Sequence, residues 1–343
     1  MLTIWFCLVA GMLTAYVVLD GFDLGIGVLH LFLARNDEER SLLVRTIGPV
    51  WDGNEVWLVA GGGTLFFAFP ALYASGFSGF YLPLMIVLWL LILRGVGIEL
   101  RSHLESPVWR GLFDGAFGIG SLLLIVFYGA ALGNVIRGVP LDRDGYFCLP
   151  LWTNWRVGPE PGILDWYTVL AGMVALAALS LHGAHYAVLK TSGAMNARAR
   201  IVARRLWPVV IAATAVSLGA TLAIRPGLAR NYQNAPAFYL IPALVVASLI
   251  AMKRMRTERA VFLSSCAYLA LMMLGAAVAV YPNLLLSSRD AAQNITMFNA
   301  HAGEHSMAVG LIWWSFGIAL AIGYFIYVYK MFGGKVTGEA SGH

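Results

Sequence analysis

The sequence predicts an all-α, multi-pass membrane protein. Of its 343 residues, 59% are apolar and only 12% charged, and the mean hydropathy is +0.75. Roughly nine stretches approach the ~20 apolar residues that one helical crossing needs. The spans fall at about 3–33, 55–73, 77–98, 112–134, 164–189, 205–224, 236–252, 260–281 and 307–330, within one transmembrane domain covering 1–343.

The first span exceeds the thickness of a bilayer and should tilt or protrude on the inner side. No Lys or Arg precedes Arg35, so it lacks the basic start of a signal peptide and should be retained. Basic residues give the orientation. Arg35, Arg40 and Arg45 fall in loop one, Arg94, Arg101 and Arg110 at loop three, and Lys190, Arg198, Arg200, Arg204 and Arg205 at loop five. Lys253, Arg254, Arg256 and Arg259 follow in loop seven, then Lys330 and Lys335 in the tail. These 17 of the 23 basic residues all lie on one side of a nine-span chain, which puts the N-terminus outside and the C-terminus in the cytoplasm. The net charge of +5 then reflects inner loops facing anionic lipid, not nucleic acid. Cys7, Cys148 and Cys266 show no ligand spacing, and the outer connection at about 135–163 has the Pro, Gly and aromatic content of an ordered cap.

Against this background the acidic residues stand out. A carboxylate facing hydrocarbon costs roughly 2.5 to 3.5 kcal/mol even on insertion-based scales, so such groups face a bundle interior or a water path. Asp20 and Asp23 in D-G-F-D-L-G-I-G at 20–27 share one helix face, one turn apart, and could pass a proton or cation between them. Two carboxyl groups so close in a low dielectric do not both ionise readily, which leaves one able to relay a proton. Gly21, Gly25 and Gly27 let a neighbouring helix approach and cover that face with protein. The alternative is that both Asp residues only pin or cap helices.

Asp52 and Glu55 form a second pair in W-D-G-N-E-V-W at 51–57, at the inner end of span two. Asp52 reads as an N-cap with Glu55 completing a capping box, so capping alone could explain both acids. It does not explain Trp51, Trp57, Asn54, or a second pair at the depth of the first, which together favour one polar entrance from the cytoplasm. Arg94 reads either as a snorkelling inner-side anchor or as a partner for Asp52 or an anionic cofactor group.

No histidines are placed as a haem ligand pair. His182 and His185 form H-x-x-H, and His301, Glu304 and His305 match an inverted zincin string without an enclosing domain or third ligand. No metal site is expected there, and no haem on this chain.

Six strings carry a resemblance: D-G-F-D-L-G-I-G at 20–27, R-N-D-E-E-R at 35–40, W-D-G-N-E-V-W at 51–57, G-G-G-T-L-F-F-A-F-P at 61–70, F-S-G-F-Y at 77–81 and R-G-V-G-I-E-L-R at 94–101. With them the chain closely resembles subunit II of the cytochrome bd quinol oxidases, strongly over about the first 140 residues and mainly in span pattern beyond. The resemblance implies a haem-free subunit that forms a heterodimer with a similarly folded subunit I, which holds two b-type haems, the d-type haem and the quinol site. It implies a bacterial inner (cytoplasmic) membrane location, with a small additional subunit, lipids and quinone among the contacts. It maps a proton path from the cytoplasm onto Asp20, Asp23 and Asp52, a haem-propionate or interface role onto Trp51 and Arg94, and an oxygen-access position onto Trp57. Glu55 stands where other members can carry Gln, so it is an added protonatable site or only a cap. A proton- or cation-coupled secondary transporter and a purely structural assembly subunit are the alternatives.

Overall fold

The computed structural model describes residues 1–336 and is almost wholly helical. The helices are α1 (Leu2–Leu33), α2 (Asp37–Ile47), α3 (Trp51–Ala68), α4 (Pro70–Gly79), α5 (Tyr81–Leu100) and α6 (Pro107–Arg137). They continue as α7 (Trp166–Lys190), α8 (Gly193–Ile224), α9 (Arg230–Asn234), α10 (Leu240–Arg254), α11 (Glu258–Val280) and α12 (Glu304–Met331). Among the described residues, eight helices are long and apolar enough to cross a membrane; α10 is counted with the short 3-10 turn before it, and α3 is not among them.

The helix ends follow local chemistry. Asn36 caps α2 through the Glu39 N–H, Asp165 caps α7 through the Tyr167 and Thr168 N–H groups with Thr168 answering in a capping box, and Thr257 caps α11. The second expected span, 55–73, is instead interrupted: α3 stops at Ala68 because Pro70 cannot continue a helix, and it opens α4 at the position where its missing N–H costs nothing. At the other end, α8 begins twelve residues before the expected 205, carrying Arg198, Arg200 and Arg204 on an extension that apolar content alone does not reveal.

Central helix α1 packs against α3, α6, α7 and α11. Its glycines set the spacing. A Cβ on Gly25 would lie 2.8 Å from the Gly183 Cα, one on Gly21 2.9 Å from Leu179 Cδ2, and one on Gly27 2.6 Å from the Ser121 Cβ. At Gly25 the opposing atoms are backbone, which no side-chain rotation relieves. Gly25→Leu should therefore cost about 3 kcal/mol or more, at the upper end of overpacking, and abolish accumulation of the folded chain in membranes. Gly219→Leu, with nothing within 4 Å of its Cβ, should accumulate normally. Normal accumulation of Gly25→Leu would disprove the contact.

The outer ends are closed by two irregular segments, about 138–165 and 281–303, which meet at the Val139–Ser287 bridge; the second includes the antiparallel pair β1 (Asn283–Leu285) and β2 (Ile295–Thr296). Buried Arg137 pairs with Asp165 there and donates to Asn134 and to the Gly162 carbonyl. On the outer surface Arg289 donates to both oxygens of Glu160, and these bonds hold that carboxyl below its ordinary range. Large apolar side chains such as Trp89, Ile312, Trp313, Phe316 and Leu320 are exposed, as expected where lipid or another membrane protein replaces water.

Candidate functional site

The acids of α1 meet their partners within two turns of one end of the bundle. Asp20 and Arg94 are both fully buried, and the guanidinium grips the carboxylate with two hydrogen bonds, Nη1 to Oδ2 at 3.0 Å and Nη2 to Oδ1 at 2.5 Å. This is the planar bidentate geometry that Arg provides and Lys does not. Glu55, with one-fifth of its side chain exposed, stands 3.7 Å from Arg94 Nη1. Arg94 sits six residues before the end of α5, about 9 Å along its axis.

One turn along α1, Asp23 is equally buried but has no cation in contact among the described residues. Its Oδ2 accepts from Asn54 Nδ2 at 2.7 Å, while its Oδ1 is buried without a partner. The same Nδ2 reaches the Leu19 carbonyl at 3.2 Å, and Asn54 Oδ1 accepts from the Tyr329 hydroxyl at 2.8 Å. One turn the other way, Tyr16 donates to the Tyr128 hydroxyl at 3.0 Å. Chemically the two acids differ. Asp20 is fixed as the anionic half of an ion pair, whereas Asp23 is held by one neutral donor and can take up and return a proton.

The remaining expected residues are placed as follows. Asp52 is exposed and makes no side-chain hydrogen bond among the described residues. It is also not a cap: α3 starts at Trp51 after Val50, without a capping side chain, because the chain enters directly from the preceding turn, with Asn54 N–H already bonded to the Val50 carbonyl. The capping-box reading of Asp52 and Glu55 is thus corrected, though an acid in the first turn still suits the helix dipole. Arg94 pairs with Asp20, not Asp52, because Asp52 points away to the surface. The Trp51 indole donates to Glu99 at 3.2 Å and its ring abuts Gly95. Trp57 stacks obliquely on Phe325, with its indole nitrogen buried and unpartnered among the described residues.

Sequence reasoning missed a second buried cluster. Asp114 accepts from Arg101 Nε at 2.6 Å, from Arg40 at 3.3 Å and from His30 Nε2 at 3.3 Å, and Arg101 and Arg110 both reach Asp37. These contacts tie α2 to α1, α5 and α6. The R-N-D-E-E-R string at 35–40 was the available signal. Two buried histidines are engaged elsewhere, His182 between Ser265 and the Val18 carbonyl and His30 between Gly27 and Asp114, whereas His185 is buried with its Nδ1 unpartnered among the described residues. No group of three potential metal ligands occurs among the described residues.

A family model described as cytochrome bd terminal oxidase subunit II matches residues 1–332. Cytochrome bd-I ubiquinol oxidase subunit 2 of Escherichia coli (strain K12) is 33% identical over 371 residues, covering 98% of this chain and 95% of that protein. Cytochrome bd ubiquinol oxidase subunit 2 of Bacillus subtilis (strain 168) is 31% identical over 336 residues, covering 97% and 96%. Among solved structures, a chain of the bd oxidase from Geobacillus thermodenitrificans superposes with a TM-score of 0.76 at 17% identity, over 96% of this chain and 98% of that one, which is a likeness of fold.

Proposed function

Since the chain belongs to the cytochrome bd terminal oxidase subunit II family, we propose that it is the haem-free subunit of a bacterial inner-membrane quinol oxidase and that it builds the cytoplasmic proton-uptake path beside subunit I. Membership makes it a subunit of an oxidoreductase complex, not an enzyme alone. The carrying observation for the proton path is the buried pair on α1, with Asp20 neutralised by Arg94 and Asp23 left uncompensated. A static scaffold needs no buried carboxyl without a cation, because leaving one there costs more than an apolar side chain.

On this assignment the two b-type haems and the d-type haem belong to subunit I, together with quinol oxidation. It is supported by His30 and His182, both fully buried and using both ring nitrogens within this chain, while buried His185 keeps an unpartnered Nδ1 among the described residues. In this reading Asp52 receives protons at the cytoplasmic surface, Glu55 stands beside Arg94 as a secondary acceptor, and Asp23 and Asp20 lead inward toward the partner. Trp51 borders the interface and Trp57 an oxygen approach, while Arg94, fully buried against Asp20, lies inside this chain and not at its surface. Orientation follows from the 17 inner basic residues, with the N-terminus outside.

Purification in mild detergent tests the assignment. The tagged chain should bring down a larger membrane subunit and a haem spectrum, and should lose its Soret band when stripped of every partner. Stoichiometric haem on the stripped chain, or cation flux through vesicles containing this chain alone, would overturn it.

A further inference from the structure

Asn54 is the only group donating to Asp23 among the described residues, and what fixes Asn54 is a residue at the far end of the chain. An amide side chain can present either its oxygen or its nitrogen to a neighbour, and only its other partners decide which. Here the choice is forced from both sides. Asn54 is fully buried; its nitrogen serves the Leu19 carbonyl and Asp23 Oδ2, and its oxygen takes the Tyr329 hydroxyl proton. Without that hydroxyl the amide oxygen is left buried with no donor, and the amide is held toward Asp23 from its nitrogen side alone, by the Leu19 carbonyl and the carboxyl oxygen.

The second observation is the unpartnered oxygen. With Oδ2 committed to Asn54, Asp23 Oδ1 is buried and free of any hydrogen bond among the described residues. A carboxyl group held by one oxygen is oriented, and the other oxygen is then the atom that can carry a proton. The third is access. The Tyr329 ring forms part of the wall of a cavity of about 70 Å³, with Tyr186, Lys190, Thr46 and Phe332, and that volume is large enough for water. It lies under the C-terminal segment, where Lys190 Nζ donates to the Phe332 carbonyl and the Val336 N–H to the Lys190 carbonyl. Tyr329 therefore joins a water-sized space at the cytoplasmic end to the buried carboxyl through one amide. The amide itself passes no proton; it orients.

We propose that Tyr329 and Asn54 are positioning residues for Asp23, engaging its Oδ2 so that Oδ1 is the proton-exchanging atom. The proposal rests on the proton-path reading and names the groups that tune that path.

The test uses the intact oxidase carrying Tyr329→Phe, Asp23→Asn, Asn54→Leu, and each of the last two combined with Tyr329→Phe. Phe keeps the ring that packs beside Phe325 and should leave assembly and the haem spectrum unchanged. Quinol-driven oxygen consumption should fall roughly three- to tenfold, the range of one hydrogen bond, and Tyr329→Phe should add no loss in the Asp23→Asn or Asn54→Leu background. In infrared difference spectra, the carboxyl band identified by its disappearance in Asp23→Asn should shift in Tyr329→Phe. An unmoved band, or losses that multiply in the double variants, would overturn the proposal. Wild-type turnover of Asp23→Asn would instead sink the proton path, and the band would still decide the positioning.

Discussion

Membranes expressing Arg94→Met should contain almost no assembled oxidase, and the double variant Arg94→Met/Asp20→Asn should recover a substantial part of it. Removing one partner of a buried ion pair strands the other charge and costs about 3 to 5 kcal/mol, whereas neutralising both is often close to neutral. Here both side chains are fully buried, the neighbouring Glu55 is itself an acid and cannot replace the lost cation, and typical domain stability is only about 5 to 15 kcal/mol. Haem-containing complex per milligram of membrane measures the effect. Recovery without activity is expected in the double variant, which separates the structural duty of the pair from its place in the path. Assembly of the single variant at the wild-type level would contradict the pairing.

Asp23→Asn should leave assembly intact and lower quinol-driven oxygen consumption about a hundredfold, the lower end of what a positioned proton-transfer group contributes. The amide keeps the shape and can still accept from Asn54, but it carries no exchangeable acidic proton. Asp52→Asn should have a smaller effect, because an exposed carboxylate can be bypassed by water, and Glu55→Gln should be milder than Asp23→Asn. Steady-state oxygen electrode traces at saturating quinol decide the order. Wild-type turnover with Asp20, Asp23 and Asp52 all replaced would end the proton-path reading.

What the sequence could disclose depended on distance along the chain. Asp20 and Asp23 were legible because helix geometry alone places residues three apart on one face, and Gly21, Gly25 and Gly27 around them announced a close neighbour without saying which. Arg94 was legible only as an inner-side anchor or a partner for Asp52 or an anionic cofactor group; its actual partner lies 74 positions away, and only packing could choose Asp20 over Asp52. Asn54 was visible in its motif, yet Tyr329 is 275 positions distant and its hydroxyl looks like any interfacial tyrosine. Asp114 fared worse: its three donors come from α1, α2 and the end of α5, so beyond the charged string at 35–40 nothing local pointed to the cluster. The break at Phe69–Pro70 was, by contrast, written in the chain, and apolar content on both sides concealed it.

The span between Asp20 and Arg94 also sets a clock for biosynthesis. At about 5 to 20 residues per second, the 74 positions from Asp20 to Arg94 take roughly 4 to 15 s to emerge. During that interval α1 has already left the ribosome with two acids and no cation to meet them. A nascent chain stalled before Arg94 would hold a bare carboxylate in lipid. Such a chain should be retained at the insertion machinery or recognised by membrane proteases, so that abundance in the cell is governed by how promptly α5 follows α1.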